Sequence, residues 1–490
     1  MPPPTGPVRP HSRLLTPRMS GYTQKDQSCQ RRPILQLRFR EIARRTASMP
    51  RRNIYLLFLI TVVAVACAVQ NDRHGRLLVH AMREIERRHL EAVDHQDLFE
   101  GAMRGVTRQL QEKYADPYTS YVAPAEVRRF HESLDQEFGG LGIQVALPED
   151  TKRITVVSPL LDTPAHAAGI LAGDVILKVD GRSTEGMDLN DTVDLMRGEV
   201  GEPITLTIER HGKEEPFDLT LVRAIIKVDT VLGDTRNADG SWNFFLEGKD
   251  HIGYVRIESI SDDTARQLEE AMQWLTSHGM KGLILDLRFN SGGYLDKAVT
   301  ICDRFVDSGA IVSTRRRDGK VSAEFHATDE GTYGGFPMAV LINQYSASAA
   351  EIIAACLQDH HRATIIGQRS FGKGVVQELV YLDSENGKRR GMMKITASSY
   401  WRPSGANINR GKDAAENDEW GIRPDDGFEI AIAEEDLPAF FKARRHRDTF
   451  RNGESNDKKT AETEVEQDEP FSDPQLEMAI EYLQKQLADE

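Results

Sequence analysis

Two short segments in the second half of the chain decide how the sequence is interpreted. Residues 345–351 read Tyr-Ser-Ala-Ser-Ala-Ala-Glu, and residues 371–374 read Phe-Gly-Lys-Gly. A serine hydroxyl is a poor nucleophile near neutral pH and needs a base beside it. Lys373 can be that base if burial removes its proton, and the glycines on both sides let its backbone pass close to other atoms. The pairing predicts that Ser348 and Lys373 form a catalytic dyad.

Both segments also have a purely structural interpretation. Ser348 with Glu351 three residues later fits a helix capping box, which these residues alone favour. The two roles are compatible, because a serine between a strand and a helix lies at the carboxyl end of a strand, where α/β sheets place their sites. The free N–H groups of the helix start, including that of Ala349, can then stabilise an oxyanion. Lys373 taken alone would be a surface lysine, and Ser346 is a rival nucleophile.

The two segments together resemble the carboxyl-terminal processing proteases, or tail-specific proteases, which are serine peptidases with a Ser/Lys dyad and a PDZ domain. The resemblance covers roughly residues 74–440. The family pattern Ser-Ala-Ser-Ala-Ser-Glu carries the nucleophile at its middle serine, which corresponds to Ser348, while Ala350 replaces the third serine. The resemblance also implies that Gln377 orients Lys373.

A glycine pair is the candidate for the rest of the oxyanion hole. Residues 286–293 read Asp-Leu-Arg-Phe-Asn-Ser-Gly-Gly and close a buried strand, so a plain strand-to-helix turn is an equal alternative. The family has a similar Asn-Pro-Gly-Gly segment whose glycine N–H lies near the oxyanion. The resemblance therefore places Gly292 or Gly293 in the hole, although Ser291 replaces the family's proline.

Residues 138–227 change character and predict short alternating strands. The loop that opens this region consists of Gly140, Leu141, Gly142 and Ile143. It resembles the carboxylate-binding loop of PDZ domains, in which consecutive backbone N–H groups hold a peptide C-terminus and the next strand edge pairs with the peptide. A Gly-x-Gly alone favours an ordinary strand-entry turn. Residues 164–174 strengthen the PDZ interpretation, because they look like the helix and glycine-bounded turn of PDZ domains in exported proteases.

The amino-terminal end predicts export. Residues 1–52 hold twelve basic residues against Asp26 and Glu41, whereas the whole chain has a net charge of −14. The acidic body argues against nucleic-acid binding. Residues 54–69 carry no charge and follow Arg51 and Arg52, which indicates a signal anchor or signal peptide more than a buried helix. The catalytic part is therefore expected in the cell envelope, outside the cytoplasm, with the membrane contacted through residues 54–69.

The predicted fold class is α/β, with a crotonase-like peptidase core, an inserted PDZ domain and an N-terminal helical region in which residues 116–121, Asp-Pro-Tyr-Thr-Ser-Tyr, interrupt the helices. The family has a similar Asp-Pro-Tyr segment before its PDZ domain. The predicted domains are a basic arm (1–53), the export segment (54–70), the helical region (71–137), the PDZ domain (138–227), the peptidase core (228–440), a charged linker (441–470) and a C-terminal helix (471–490).

These features predict a serine endopeptidase that cleaves exported proteins near their C-termini, with protein or peptide C-termini as partners. The four cysteines form no Cys-x-x-Cys pair and the histidines show no ligand spacing, so no metal or cofactor is implied. Two rival classes stay open: a non-catalytic PDZ adaptor on a peptidase scaffold, and a crotonase-like enzyme acting on acyl thioesters. Homo-oligomer formation also stays open.

Overall fold

The computed structural model describes residues 53, 55–56, 73–148, 150–249, 251–383, 389–449 and 471–489. They belong to two compact units, Met1–Leu98 and Phe99–Glu490. The predicted export segment lies outside the described residues except for Tyr55 and Leu56. Among the helices that are described, none is long and apolar enough to cross a membrane.

Helices and strands alternate through most of the second unit. The helices are α1 (Arg73–Arg88), α2 (His95–Tyr114), α3 (Pro124–Asp135), α4 (Pro164–Ala167), α5 (Leu189–Met196), α6 (Thr264–Ser277), α7 (Leu295–Asp303), α8 (Ala349–Asp359), α9 (Leu437–Asp448) and α10 (Pro474–Asp489), with a short 3-10 turn at Glu434–Asp436. The strands are β1 (Ser120–Val122), β2 (Glu137–Gly140), β3 (Ile143–Ala146), β4 (Thr155–Pro159), β5 (Val175–Val179), β6 (Arg182–Ser183), β7 (Pro203–Glu209), β8 (Phe217–Val222), β9 (Ala224–Lys227), β10 (Val231–Leu232), β11 (Thr235–Arg236), β12 (Trp242–Asn243), β13 (Ile252–Ile257), β14 (Gly282–Asp286), β15 (Ala310–Arg316), β16 (Val321–His326), β17 (Met338–Ile342), β18 (Thr364–Gly367), β19 (Val375–Asp383) and β20 (Arg389–Trp401).

A five-stranded sheet in the order β10-β13-β14-β17-β18 forms the centre of the peptidase core. Its last four strands run parallel, and every residue of β13, β14 and β17 is buried. Continuous apolar runs are typical of parallel strands covered on both faces. Leu283 and Leu285 pack with α6, α7 and α8 on one face, and Ile284 packs with Ala479 and Leu483 of α10 on the other. The predicted C-terminal amphipathic helix is therefore the second cover of the sheet.

Buried arginines join the two C-terminal helices, α9 and α10, to the peptidase core. Arg288, just after β14, donates from Nη2 to Asp286 at 2.6 Å and from Nη1 to Asp473 at 2.9 Å, before α10. The prediction that a linker begins at residue 441 is wrong, because α9 continues to Asp448. Composition suggested a solvated arginine-rich stretch there, but Arg444 is largely buried and donates to the Gly233 carbonyl at 2.8 Å.

A second sheet and the PDZ region complete the unit. The second sheet has the order β1-β20-β15-β16, with β19 also paired to β20. The PDZ sheet has the order β3-β4-β5-β7-β8, with β6 on β5, in the region where short strands were predicted. Asp180 and Gly181, both with positive φ, form a two-residue hairpin turn between β5 and β6. The antiparallel pair β2–β9 brackets the PDZ region at its two ends.

Candidate active site

Ser348 lies at a sharp turn between β17 and α8. It has φ 58° and ψ −117°, a strained backbone conformation for a residue with a side chain, and it is buried. Strain of this kind costs on the order of 1–3 kcal/mol and persists only where the surroundings enforce it. An ordinary helix start needs no such conformation.

The carboxylate of Glu351 joins the two predicted catalytic segments. Its Oε2 accepts the backbone N–H of Ser348 and that of Lys373, both at 2.8 Å. Its Oε1 accepts the Ser370 hydroxyl and the Gly372 N–H, both at 2.6 Å. The Ser370 hydroxyl itself accepts the Ile422 N–H at 2.7 Å, so its proton is directed at Glu351. Four donors around a fully buried side chain identify it as an ionised acceptor, although burial raises the pKa of Glu351.

Lys373 lies between β18 and β19 in a partly buried position. Burial lowers the pKa of Lys373, the positive charge of Lys394 lowers it further, and Glu351 opposes both effects. Its ammonium nitrogen lies 5.0 Å from the ring centroid of Tyr118. The expected close backbone approach is present, because a Cβ on Gly374 would lie 2.2 Å from the Asn409 nitrogen. Burial and a positive neighbour together favour the free amine that a general base requires.

Two other hydroxyl groups near Ser348 have distinct positions. Ser346, the rival nucleophile, is fully buried and donates its hydroxyl to the Leu287 carbonyl at 2.8 Å. A structural tie between loops is therefore its evident role. Burial raises the pKa of the buried Tyr400 to about 12, and an interaction with the Ser348 side chain opposes that rise. This tyrosine stays neutral in the working pH range of a peptidase.

The glycine turn after β14 lies directly beside Ser348. A Cβ on Gly292 would come within 2.8 Å of the Ser348 Cβ and of the Ala347 carbonyl oxygen. The Gly292 N–H already donates to Asn290 Oδ1 at 2.8 Å. Within the described part of the chain, no hydrogen bond uses the N–H of Gly293 or of Ala349. Two unused amides thus remain, one in the glycine turn after β14 and one at the first residue of α8.

Gln377 lies on β19, where it pairs with Thr396 of β20. Its amide nitrogen lies 3.5 Å from the Val375 carbonyl oxygen, and that is the contact its side chain makes. The predicted orientation of Lys373 by Gln377 is not formed in this conformation, so it stays a prediction.

The predicted carboxylate-binding loop is built as a backbone loop at the edge of the PDZ sheet. Gly142 has φ +77°, and a Cβ there would overlap Thr163 at 2.3 Å, so only glycine fits. The carbonyls of Leu141 and Gly142 accept N–H groups from Ala165 and Leu160. Among the described residues, no acceptor takes the N–H of Leu141 or of Gly142. Gly140 ends β2, and Ile143 begins the edge strand β3, which pairs with β4 alone.

Sequence reasoning missed three contributors to this site. Asn290 takes the Gly292 N–H, Tyr400 reaches Ser348, and Glu351 holds the lysine segment as well as the helix start. The signal for Glu351 was present as the capping box, but the contact with Lys373 depends on a loop 22 residues away. Tyr400 is brought near Ser348 by the second sheet, where it pairs with Thr314, and spacing along the sequence does not reveal that position.

The chain is similar to several known proteins. Residues 251–426 match the model of peptidase family S41, and residues 155–210 match a PDZ domain. The chain is 37% identical over 415 residues to the carboxy-terminal-processing protease of Bartonella bacilliformis, covering 81% of this chain and 88% of that protein. It is 32% identical over 371 residues to the carboxy-terminal processing protease CtpA of Bacillus subtilis, covering 72% and 75%. The solved photosystem II D1 C-terminal processing protease is 25% identical, with a TM-score of 0.41 and coverage of 77% and 98%.

The fold, the strained serine and these matches define a serine-type peptidase that carries a PDZ domain. Three of the relatives are named for carboxy-terminal processing. The chain belongs to the carboxy-terminal processing proteases of peptidase family S41, which confirms the resemblance that the sequence motifs carried.

Replacing Glu351 by Gln should disable the site. An amide puts N–H donors against two of the four groups that now donate to the carboxylate, so buried donors lose their acceptor. We expect the free energy of unfolding to fall by about 2–5 kcal/mol and kcat/KM to fall at least a hundredfold. Urea denaturation and a peptide-cleavage assay measure the two effects. The exposed Glu435→Gln is the control, and equal behaviour of both variants would show that the carboxylate is dispensable.

Proposed function

We propose that this protein is a serine endopeptidase in which Lys373 is the general base for Ser348 and the PDZ domain holds the C-terminus of the substrate. The observation that carries the proposal is the Glu351 carboxylate, one oxygen of which accepts the backbone N–H of both residues. A single buried acceptor fixes the nucleophile segment to the base segment, as a dyad requires.

In the proposed reaction, the Ser348 hydroxyl proton passes to the free amine of Lys373 while Oγ attacks the substrate carbonyl carbon. The carbonyl π electrons move to oxygen, and the oxyanion accepts hydrogen bonds from Ala349 and Gly293, whose N–H groups are otherwise unused. The Lys373 ammonium then returns the proton to the leaving amine as the peptide bond breaks. Lys373 then takes a proton from water as the water oxygen attacks the acyl-enzyme ester. The ammonium returns that proton to Oγ of Ser348 as the ester bond breaks, which restores both residues.

Gly293 is favoured over Gly292 as the oxyanion donor, because the Gly292 N–H is committed to Asn290. Gly292 still matters, since it lies so close to Ser348 that a Cβ would collide with it. The hydroxyl of Tyr400 orients the Ser348 side chain from the opposite sheet. Gln377 retains its predicted role of orienting Lys373 once substrate is bound.

The PDZ domain supplies the proposed selection of substrate tails. Two unused N–H groups, those of Leu141 and Gly142, can bind a terminal carboxylate, and the edge strand β3 can pair with the residues before it. Leu141 is buried in the PDZ core and Ile143 packs against that core. Apolar C-terminal residues are therefore the preferred ligands.

Neither rival class accounts for the site. A non-catalytic adaptor needs no strained serine, and its lysine has no reason to be held on the same carboxylate as the serine. The family resemblance predicts a crotonase-like core, which some acyl-thioester enzymes share. Such an enzyme would not need a PDZ loop with unused N–H groups.

The dyad is tested by two substitutions. Ser348→Ala keeps the backbone N–H that binds Glu351, so the fold should persist while activity falls to background. Lys373→Arg keeps the charge but accepts no proton, and it should be equally inactive. Fluorophosphonate labelling of the serine and peptide cleavage are the measurements. The exposed Lys412→Arg should retain full activity.

The wild-type enzyme adds a pH criterion for the same dyad. Because burial lowers the pKa of Lys373, its free-base fraction should rise at a pH below the ordinary lysine pKa of about 10.4. The kcat/KM should therefore increase with pH along a limb below that value. Appreciable turnover by Lys373→Arg, or labelling of Ser348→Ala, would refute the assignment.

Tail recognition is tested with a peptide ending in an apolar residue, as the free acid and as the C-terminal amide. The acid should bind the full-length Ser348→Ala protein at least tenfold more tightly in calorimetry, because hydrogen bonds from the two free N–H groups to an ionised carboxylate are stronger than those to a neutral amide oxygen. Gly142→Ala should abolish the difference, since the added Cβ collides with Thr163. Equal affinity of acid and amide would mean that the loop does not bind the carboxylate.

We also propose export, from the uncharged residues 54–69 behind Arg51 and Arg52. A reporter that is active only in the cytoplasm, fused after residue 490, should be silent if the segment places the peptidase outside. Replacing Ile60 and Val65 by Asp should interrupt the apolar run and restore the reporter. A fully active reporter on the unaltered chain would place the catalytic domain in the cytoplasm.

A further inference from the structure

The segment Asp116–Tyr121 has no place in the proposed reaction, although the sequence set it apart. It lies outside residues 155–210 and 251–426, which match the PDZ and peptidase models. Several hydrogen bonds nevertheless hold this segment in place, and its Tyr118 ring lies next to Lys373.

Asp116 fixes this segment to the second sheet. Its carboxylate accepts the N–H of Tyr118 at 3.1 Å, the N–H of Thr119 at 3.2 Å and the hydroxyl of Thr396 at 2.9 Å. Thr119 is buried, and its hydroxyl oxygen accepts the Thr396 N–H at 3.0 Å. Directly afterwards β1 pairs with β20, with Ser120 opposite Lys394. The backbone on both sides of Tyr118 is thus held in place.

The ring of Tyr118 is half-buried, with the Lys373 nitrogen 5.0 Å from its centroid. That distance is within the range of a cation–π contact. The other charged groups that act on this pair are Lys394 from β20, Glu351 from α8 and Asp116 from the segment itself. Tyr118 is the aromatic group against the amine, on a segment that carries no residue of the dyad.

We infer that Tyr118 is a positioning residue for Lys373. The Tyr118 ring keeps water from the free amine of Lys373, and its face stabilises the ammonium that forms when Lys373 takes the proton of Ser348. The inference rests on the proposed function, because it assumes that Lys373 is the base. It assigns a catalytic consequence to a segment that precedes both matched domains.

The ring acts differently on the two protonation states. A cation over an aromatic face is attracted by the ring quadrupole, whereas a neutral amine gains little. The ring therefore stabilises the transition state, in which Lys373 gains a proton, more than it stabilises the resting enzyme. An interaction of this kind raises the reaction rate. Water would also stabilise the ammonium, but it would raise the pKa of Lys373 and leave less free base in the resting enzyme. The ring stabilises the ammonium less than bulk water does, so it raises the pKa of Lys373 less than water would and leaves more free base in the resting enzyme.

The hydroxyl group of Tyr118 has no part in this role. Burial and the nearby Glu351 and Asp116 raise the pKa of Tyr118, so the phenol stays neutral. Tyr118→Phe is therefore the conservative variant, and Tyr118→Leu removes the aromatic face. Tyr114 offers a matched control, because it is 65% exposed with Lys113 5.5 Å from its ring centroid, and neither residue belongs to the dyad.

The test measures the pH dependence of kcat/KM for the full-length protein with one peptide substrate. Tyr118→Leu should lower kcat/KM at least tenfold and move the limb to higher pH, because burial is the largest influence on the Lys373 pKa and water would now reach the amine. Tyr118→Phe should stay within twofold of wild type, with its limb unmoved. Tyr114→Leu should change neither quantity. If Tyr118→Leu fails to fold, Tyr118→Ala also removes the ring and opens its space to water, and it should show the same loss and the same shift of the limb.

Two outcomes would overturn the inference: an unmoved limb in a folded non-aromatic variant, or equal losses in Tyr118→Phe and Tyr118→Leu. The Lys373→Arg variant separates this failure from failure of the dyad. An inactive Lys373→Arg beside an unperturbed Tyr118→Leu leaves the dyad standing and removes the role of Tyr118. An active Lys373→Arg removes both.

Discussion

The buried carboxylate of Glu351 is the interaction on which the site depends. An isolated carboxylate in a protein interior is very costly, because it leaves water without compensation. Here four donors surround it, and hydrogen bonds to a charged acceptor are roughly twice as strong as neutral ones. The donors come from the start of α8 and from the loop that leads into β19. The Glu351 carboxylate has all four donors only when both segments are folded. We therefore expect the two segments to form together.

Hydrogen bonds also join the loops that follow the strands of the central sheet. The carboxyl ends of parallel strands meet at one edge of a sheet, and three adjacent strands, β14, β17 and β18, deliver the glycine turn, Ser348 and the lysine segment there. Polar side chains then join the loops: Asn343 Oδ1 accepts the N–H of Phe289 at 3.0 Å, and Ser346 bonds the Leu287 carbonyl. The strain at Ser348 persists because these neighbours leave its backbone no alternative.

Much of this arrangement was predictable where the signal is local. An apolar run between polar segments defines a buried strand, and every residue of the strand Ile252–Ile257 is buried. The end of the core was misplaced, because Arg444 looks solvent-exposed in composition yet extends its buried stem toward the Gly233 carbonyl. The choice between Gly292 and Gly293 could not be made, since it depends on which N–H Asn290 takes. The approach of Tyr118 to Lys373 follows from the pairing of β1 with β20, across more than 250 residues of sequence.

The ribbon formed by β2 and β9 has a consequence for how such a protein changes over time. Glu137 pairs with Lys227 and Gly140 with Ala224, so the chain leaves and re-enters the peptidase core at neighbouring points. A domain attached in this way can be lengthened, exchanged for a homologous module or reduced to a hairpin without rethreading the central sheet. Selection can therefore change the PDZ domain largely without changing the peptidase core.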